Sequence, residues 1–126
     1  ESFRDLTRNA WRWAWDTLKP AVLELGGKSP AIVHESFPMT EAAERISFGK
    51  CLNAGQICTT VDHAYVPRWQ VDEFARLAAE IVPARYPQLD SPDYTSIIDE
   101  RSFDRLVHAL DDARSRGARL IAISRS

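Results

Sequence analysis

A chain of 126 residues is about one domain by length, or a piece of a larger one, and is long enough to bury a core. Its 27% charged and 44% hydrophobic residues exclude a disordered or fibrous chain, and 16 basic against 18 acidic side chains, interspersed to a formal charge of -2, leave no basic stripe for nucleic acid. No apolar run approaches the ~20 residues of a membrane span, and an N-terminus carrying Glu1, Arg4, Asp5 and Arg8 lacks a signal-peptide core, so a cytoplasmic setting without a membrane partner is expected.

Residues 5–18 read as a helix stopped near Lys19-Pro20, because proline disfavours the helical conformation at the residue before it. Trp11, Trp13 and Trp15 alternate along it, so one buried stripe cannot hide all three indoles. They are expected to pack against a partner surface or a neighbouring domain. Residues 21–25 and 31–33 are short apolar runs that read as buried strands around the loop Gly26-Gly27-Lys28-Ser29-Pro30. A helix is expected after Thr40, whose hydroxyl is placed to cap it ahead of Glu41, with Ala42, Ala43, Ile46 and Leu52 on one side and Gly49 allowing close approach of another backbone.

Beyond the irregular stretch NAGQICTT, Ala64-Tyr65-Val66 reads as a strand stopped by Pro67. Val71, Phe74, Ala75, Ala78, Ile81 and Val82 recur at helical spacing, and residues 83–92, with three prolines, read as a surface connection. Residues 101–116 form the clearest helix, with Phe103, Leu106, Val107, Leu110 and Ala113 on one face and Gly117 placed to end it; a last strand is expected over 119–123. The alternation of helices and strands predicts an α/β protein with a mainly parallel sheet flanked by helices.

Two cysteines raise the question of chemistry. On one helix, Cys51 and Cys58 would stand roughly 10 Å apart, beyond the ~7 Å reach of a disulfide, so two free thiols are expected. With no Cys-x-x-Cys motif, a thiol redox module is disfavoured, and no metal-ligand pattern is assigned. An activated cysteine needs thiolate character, a donor for the developing oxyanion and room for substrate. Gly55 gives freedom before Cys58, and Gln56 and Thr59 are polar where a core would be apolar, yet the residues alone leave open whether Cys58 is a nucleophile or a small core side chain. Glu24, within Val22-Leu23-Glu24-Leu25, is likewise either a solvent-facing strand residue or a partly desolvated base. Gly26-Gly27-Lys28 lacks the spacing of a phosphate loop.

Two segments, LKPAVLELGGKSPAIV and then AAERISFGKCLNAGQIC, resemble the paired active-site signatures of the NAD(P)-dependent aldehyde dehydrogenase superfamily. The later DYTSIIDERSFDRLVHALDDARSRGARLI is similar to the continuation in class 3-like members, most closely the coniferyl aldehyde dehydrogenase group. The resemblance implies a partial catalytic domain over residues 26–126 and, over 1–25, the last helix and strand of a coenzyme-binding domain. It implies Cys58 as nucleophile, Glu24 as the carboxylate that activates hydrolytic water, and Leu25 and Gly26 as backbone positions passing close to the nicotinamide. Lys28 belongs to the motif as a structural residue.

The same resemblance implies oxidation of a small-molecule aldehyde, aromatic in this group, to the acid with NAD or NADP in the intact family. The family's upstream asparagine and its downstream glutamate and phenylalanine, which orient substrate and cofactor, have no counterpart in these segments. The expectation is therefore a fragment that does not bind the dinucleotide by itself and associates as a homo-oligomer through faces left bare. The alternative is a noncatalytic truncated α/β domain that self-associates through the same surfaces.

Overall fold

The computed structural model describes residues 3–22, 24 and 26–123. In chain order the elements are α1 (Phe3–Asp16), β1 (Pro30–Ile32), α2 (Met39–Cys51), β2 (His63–Tyr65), α3 (Val71–Arg85) and α4 (Glu100–Ser115), with 3-10 turns at Leu52–Gly55 and Arg68–Gln70.

The core forms where α2 crosses α3. Met39, Ala42, Ala43 and Ser47 recur at helical spacing and are the buried face of α2, as Leu77 and Ala78 are of α3. Met39, Ala42, Ala43 and Leu77 make one cluster, with Val33, Val66, Phe74 and Ile81 packed around it. Small alanines on α2 let the helices approach closely, and Ala43 is 0% exposed.

The sheet consists of β1 and β2 paired in parallel, with Pro30 opposite His63, Ala31 opposite Ala64 and Ile32 opposite Tyr65. Asp62 N–H donates to Ser29 C=O at 2.8 Å and Val33 N–H to Tyr65 C=O at 2.9 Å, extending the ladder one step each way. Parallel strands need a long crossover, and α2 with the loop after it supplies one.

Helix ends follow local chemistry. The Asp99 carboxylate accepts from Ser102 N–H at 2.6 Å and caps α4, and this bond is the chief reason its carboxyl titrates below the usual carboxylate range. At the other end Gly117 takes φ +81°, while Gly117 N–H bonds Arg114 C=O and Ala118 N–H bonds Ala113 C=O, both at 3.0 Å, a Schellman closure. Leu18 closes α1 in the same way at φ 51°, ahead of Pro20.

Several expectations are corrected. Helix α2 begins at Met39 with Pro38, not Thr40, as its cap residue: no side chain caps it, and Ala42 N–H bonds Pro38 C=O at 3.0 Å. No heavy atom lies within 4 Å of a side chain built at Gly49, so no backbone approaches there. Pro83 stays inside the last turn of α3, and the connection starts after Arg85. Residues 119–123 are not a strand, and of 21–25 the described Ala21, Val22 and Glu24 are not either, while Leu23 and Leu25 lie outside the described residues. Each of these runs lacks a neighbouring strand to pair with among the described residues. The apolar face of α4 is correspondingly open to solvent, with Phe103 and Leu110 both 54% exposed. No helix among the described residues is long and apolar enough to cross a membrane.

Candidate active site

Because β1 and β2 run in parallel, the segments entering them meet at the same end of the pair. One segment carries Glu24, Gly26 and Lys28 into β1, and the other carries Cys58 and Asp62 into β2. The two are joined by Asp62 N–H to Ser29 C=O and by Lys28 Nζ to Asp62 Oδ1 at 3.0 Å. The Lys28 hydrogen bond holds the Asp62 carboxyl below the usual carboxylate range, and His63 Nδ1 lies 3.4 Å from the second oxygen. Lys28 thus has a definite structural task.

The cysteine loop begins where α2 ends. Asn53 and Ala54 take left-handed backbone angles, φ 52° and 53°, and Gly55 follows at φ 76°. A side chain built at Gly55 would stand 3.2 Å from the Lys50 carbonyl oxygen, so the turn needs glycine for space as well as for conformation. Left-handed Asn and Ala are strained and persist only where surrounding contacts over-determine them. Here Gln56 N–H bonds Asn53 C=O at 3.0 Å, and the Thr60 hydroxyl donates to Ile57 C=O at 2.8 Å with a longer 3.2 Å approach to Gly55 C=O.

Cys58 stands exposed in the turn so closed, and Cys51, the last residue of α2, is half-buried; both are free thiols. Burial pushes the Cys51 thiol above its ordinary value, opposed by the nearby Lys50 and Arg85 charges. The two cysteines therefore do not share one helix, since the left-handed turn separates them.

Glu24 departs from expectation. It is exposed and stands outside any strand, and its Oε1 accepts from Gly26 N–H at 2.8 Å, which ties the carboxylate to its own turn rather than to the thiol. Gly26 adopts φ +80°, and neither Gly26 nor Gly27 has a heavy atom within 4 Å of where a side chain would begin, so an open backbone edge runs beside Glu24. Leu25 lies outside the described residues.

A cleft of about 940 Å³ opens between the cysteine loop, residues 95–98 and α4, with Lys28, Lys50, Gln56, Ile98, Arg105 and Leu106 in its lining. Neither Cys58 nor Glu24 lines it, so it adjoins the thiol loop without containing the thiol. Among the described residues, no group of three or more His, Cys, Asp or Glu side chains gathers as a metal site would. Sequence reasoning missed what fastens the loop to this cleft. Gln56 spans 40 residues in sequence to reach Ser96, and its only advance signal is that it is polar beside a glycine.

The family model for the aldehyde dehydrogenase family matches residues 6–125. A probable coniferyl aldehyde dehydrogenase of Pseudomonas aeruginosa is 52% identical over 117 residues, covering 92% of this chain and 25% of that protein. A coniferyl aldehyde dehydrogenase of a Pseudomonas species is 47% identical over 120 residues, 94% of this chain and again 25% of the relative. Among solved structures, a substrate-bound state of Staphylococcus aureus AldH superposes with a TM-score of 0.79 at 34% identity, over 88% of this chain and 25% of that one. An oxidoreductase from Marinobacter aquaeolei gives 0.81 at 26% identity, over 97% and 26%. The chain spans about a quarter of the length of these proteins, and it belongs to the aldehyde dehydrogenase family.

Proposed function

We propose that this chain carries the nucleophile and the hydrolytic carboxylate of an enzyme that oxidises an aldehyde, an aromatic one such as coniferyl aldehyde, to its acid. The observation that carries the reading is the parallel register of β1 and β2, which delivers the Glu24 and Cys58 segments to one end of the strand pair. The similar coniferyl aldehyde dehydrogenases support the aromatic substrate.

In this reading the Cys58 thiolate attacks the carbonyl carbon, the π pair moves to oxygen, and the oxyanion is held by the Cys58 backbone N–H until its electron pair re-forms the carbonyl as the hydride departs, leaving the acyl thioester. NAD or NADP, if held by the intact protein, would supply the hydride acceptor. Water then attacks the Cys58 acyl thioester, with Glu24 taking the proton and the thiolate leaving with the carboxylic acid released. For that step the Glu24 carboxylate leaves its turn bond to Gly26.

Among the described residues, Gly26 and Gly27 offer a dinucleotide one open backbone edge with no heavy atom within 4 Å of where a side chain would begin, and residues 17–22, 24 and 26–28 are exposed. That edge supports the expectation that this chain does not bind the dinucleotide by itself, and titration with NAD or NADP should show no saturable binding.

The test is thiol alkylation between pH 6 and 8 together with turnover of an activated ester. Cys58 should alkylate well ahead of Cys51, and Glu24→Gln should keep the acylation burst while slowing release of the acid by roughly 10²-fold or more. Equal, slow labelling of both thiols would refute the reading. A second reading, a noncatalytic domain that self-associates, is favoured by the exposure of Trp11, Trp13 and Trp15 on α1. Sedimentation of the chain as a monodisperse monomer would remove it.

A further inference from the structure

The Gln56 side chain uses both ends of its amide across a long sequence gap. Nε2 donates to Ser96 C=O at 3.0 Å and to Asn53 C=O at 3.1 Å, while Oε1 accepts from Ile98 N–H at 2.9 Å. The backbone groups of residues 96 and 98, which flank Ile97, are those a neighbouring strand would satisfy in a parallel ladder. One side chain thus stands in for a rung of sheet that the backbone of the loop does not form. Its third bond returns to Asn53, the first residue of the left-handed turn, five positions ahead of Cys58.

Two independent features therefore meet at Gln56: a strained turn that needs external fixing, and a tether to the wall of the cleft from which α4 departs. We infer that Gln56 is the positioning residue of the site, fixing the Cys58 loop against residues 96–98 so that the thiol and the cleft keep one relative geometry. This rests on the proposed role of Cys58. Gln56 touches neither substrate nor thiol in it, and acts through the backbone of Asn53, Ser96 and Ile98.

The experiment compares the chain with its Gln56→Ala and Gln56→Glu variants by two readouts. The first is the backbone ¹⁵N order parameter of residues 96–98, which reports the tether whatever Cys58 does. It should fall in Gln56→Ala from a rigid value of about 0.85 toward about 0.6 or below, while α2 and α3 stay rigid and show that the fold is intact. The second is the alkylation rate of Cys58, expected to change about fivefold to tenfold in Gln56→Ala, the weight of one net hydrogen bond.

Gln56→Glu supplies a pH signature. A carboxylate facing the Asn53 and Ser96 oxygens is repelled, whereas a protonated carboxyl donates to one of them and still accepts from Ile98 N–H. The ratio of its alkylation rate to wild type should thus return toward one as pH falls. Lys28, Lys50, Asp62 and Arg105 line the same cleft, and taking the ratio at each pH cancels their titration. Unchanged order parameters in Gln56→Ala would overturn the tether. Loosened residues 96–98 with unaltered Cys58 alkylation, or a flat Gln56→Glu ratio, would overturn the positioning role. Slow wild-type labelling of Cys58 with a loosened 96–98 segment would refute the nucleophile and leave the tether standing.

Discussion

Replacing Leu77 with Ala tests where the stability of this chain resides. Leu77 is 8% exposed and is the large aliphatic side chain that α3 contributes to the cluster with Met39, Ala42 and Ala43. Losing three carbons at about 0.8 kcal/mol each removes about 2.4 kcal/mol of transfer free energy. The space left is bounded by alanines that cannot expand into it, which adds a cavity contribution and brings the expected cost to about 3 kcal/mol. Leu106→Ala is the control of equal chemistry: Leu106 is 39% exposed on the open face of α4, and alanine is the better helix former, so the change should stay within about 0.5 kcal/mol. Urea unfolding followed by far-UV circular dichroism reads both. Since a domain is held by only ~5–15 kcal/mol, the Leu77 variant should show a clearly lower midpoint. Equal midpoints for the two variants would refute the placement of the core at the α2–α3 crossing.

Gly55→Ala puts a side chain at φ 76° and 3.2 Å from the Lys50 carbonyl oxygen, and should destabilise the chain by about 1–2 kcal/mol with a change in Cys58 alkylation; an unaltered melting temperature would count against the left-handed turn. The Asp62 carboxyl, held low by Lys28, gives a pH dependence. A depressed folded value means that its contribution is full above the ordinary carboxylate range and is lost as pH falls through the lowered midpoint. Lys28→Met should erase that acid-side loss, as read from the ¹³C titration of the Asp62 carboxyl and from stability against pH. A titration curve unmoved by Lys28→Met would show that the ion pair does not form.

How legible these features were in the sequence depended on how local their causes are. Helices α1 to α4 came from periodicity and end signals, and Gly117 in its Schellman closure shows why: conformation and hydrogen bonds there lie within a few residues. The N-terminus of α2 lies two residues before the expected Thr40 cap, because Pro38 takes the cap position although Thr40 is the better cap by type. Residues 119–123 look like a strand by composition, but a strand requires a partner. Arg119 instead pairs with Asp72 at the start of α3. At the site, the irregularity of NAGQICTT was legible from Gly55 and its polar neighbours. The bonds of Gln56 to Ser96 and Ile98 were not, because nothing local marks a contact made across 40 residues.

The arrangement of the indoles has a practical side. All four tryptophans, Trp11, Trp13, Trp15 and Trp69, lie outside the α2–α3 core and are 54%, 58%, 73% and 73% exposed. Their emission is expected to be that of water-relaxed indole while the core is intact, so melting the core should scarcely shift it. Intrinsic fluorescence of this chain is consequently a gauge of what settles onto its surface, and a blue shift on mixing with another polypeptide signals contact where an ordinary protein would signal folding.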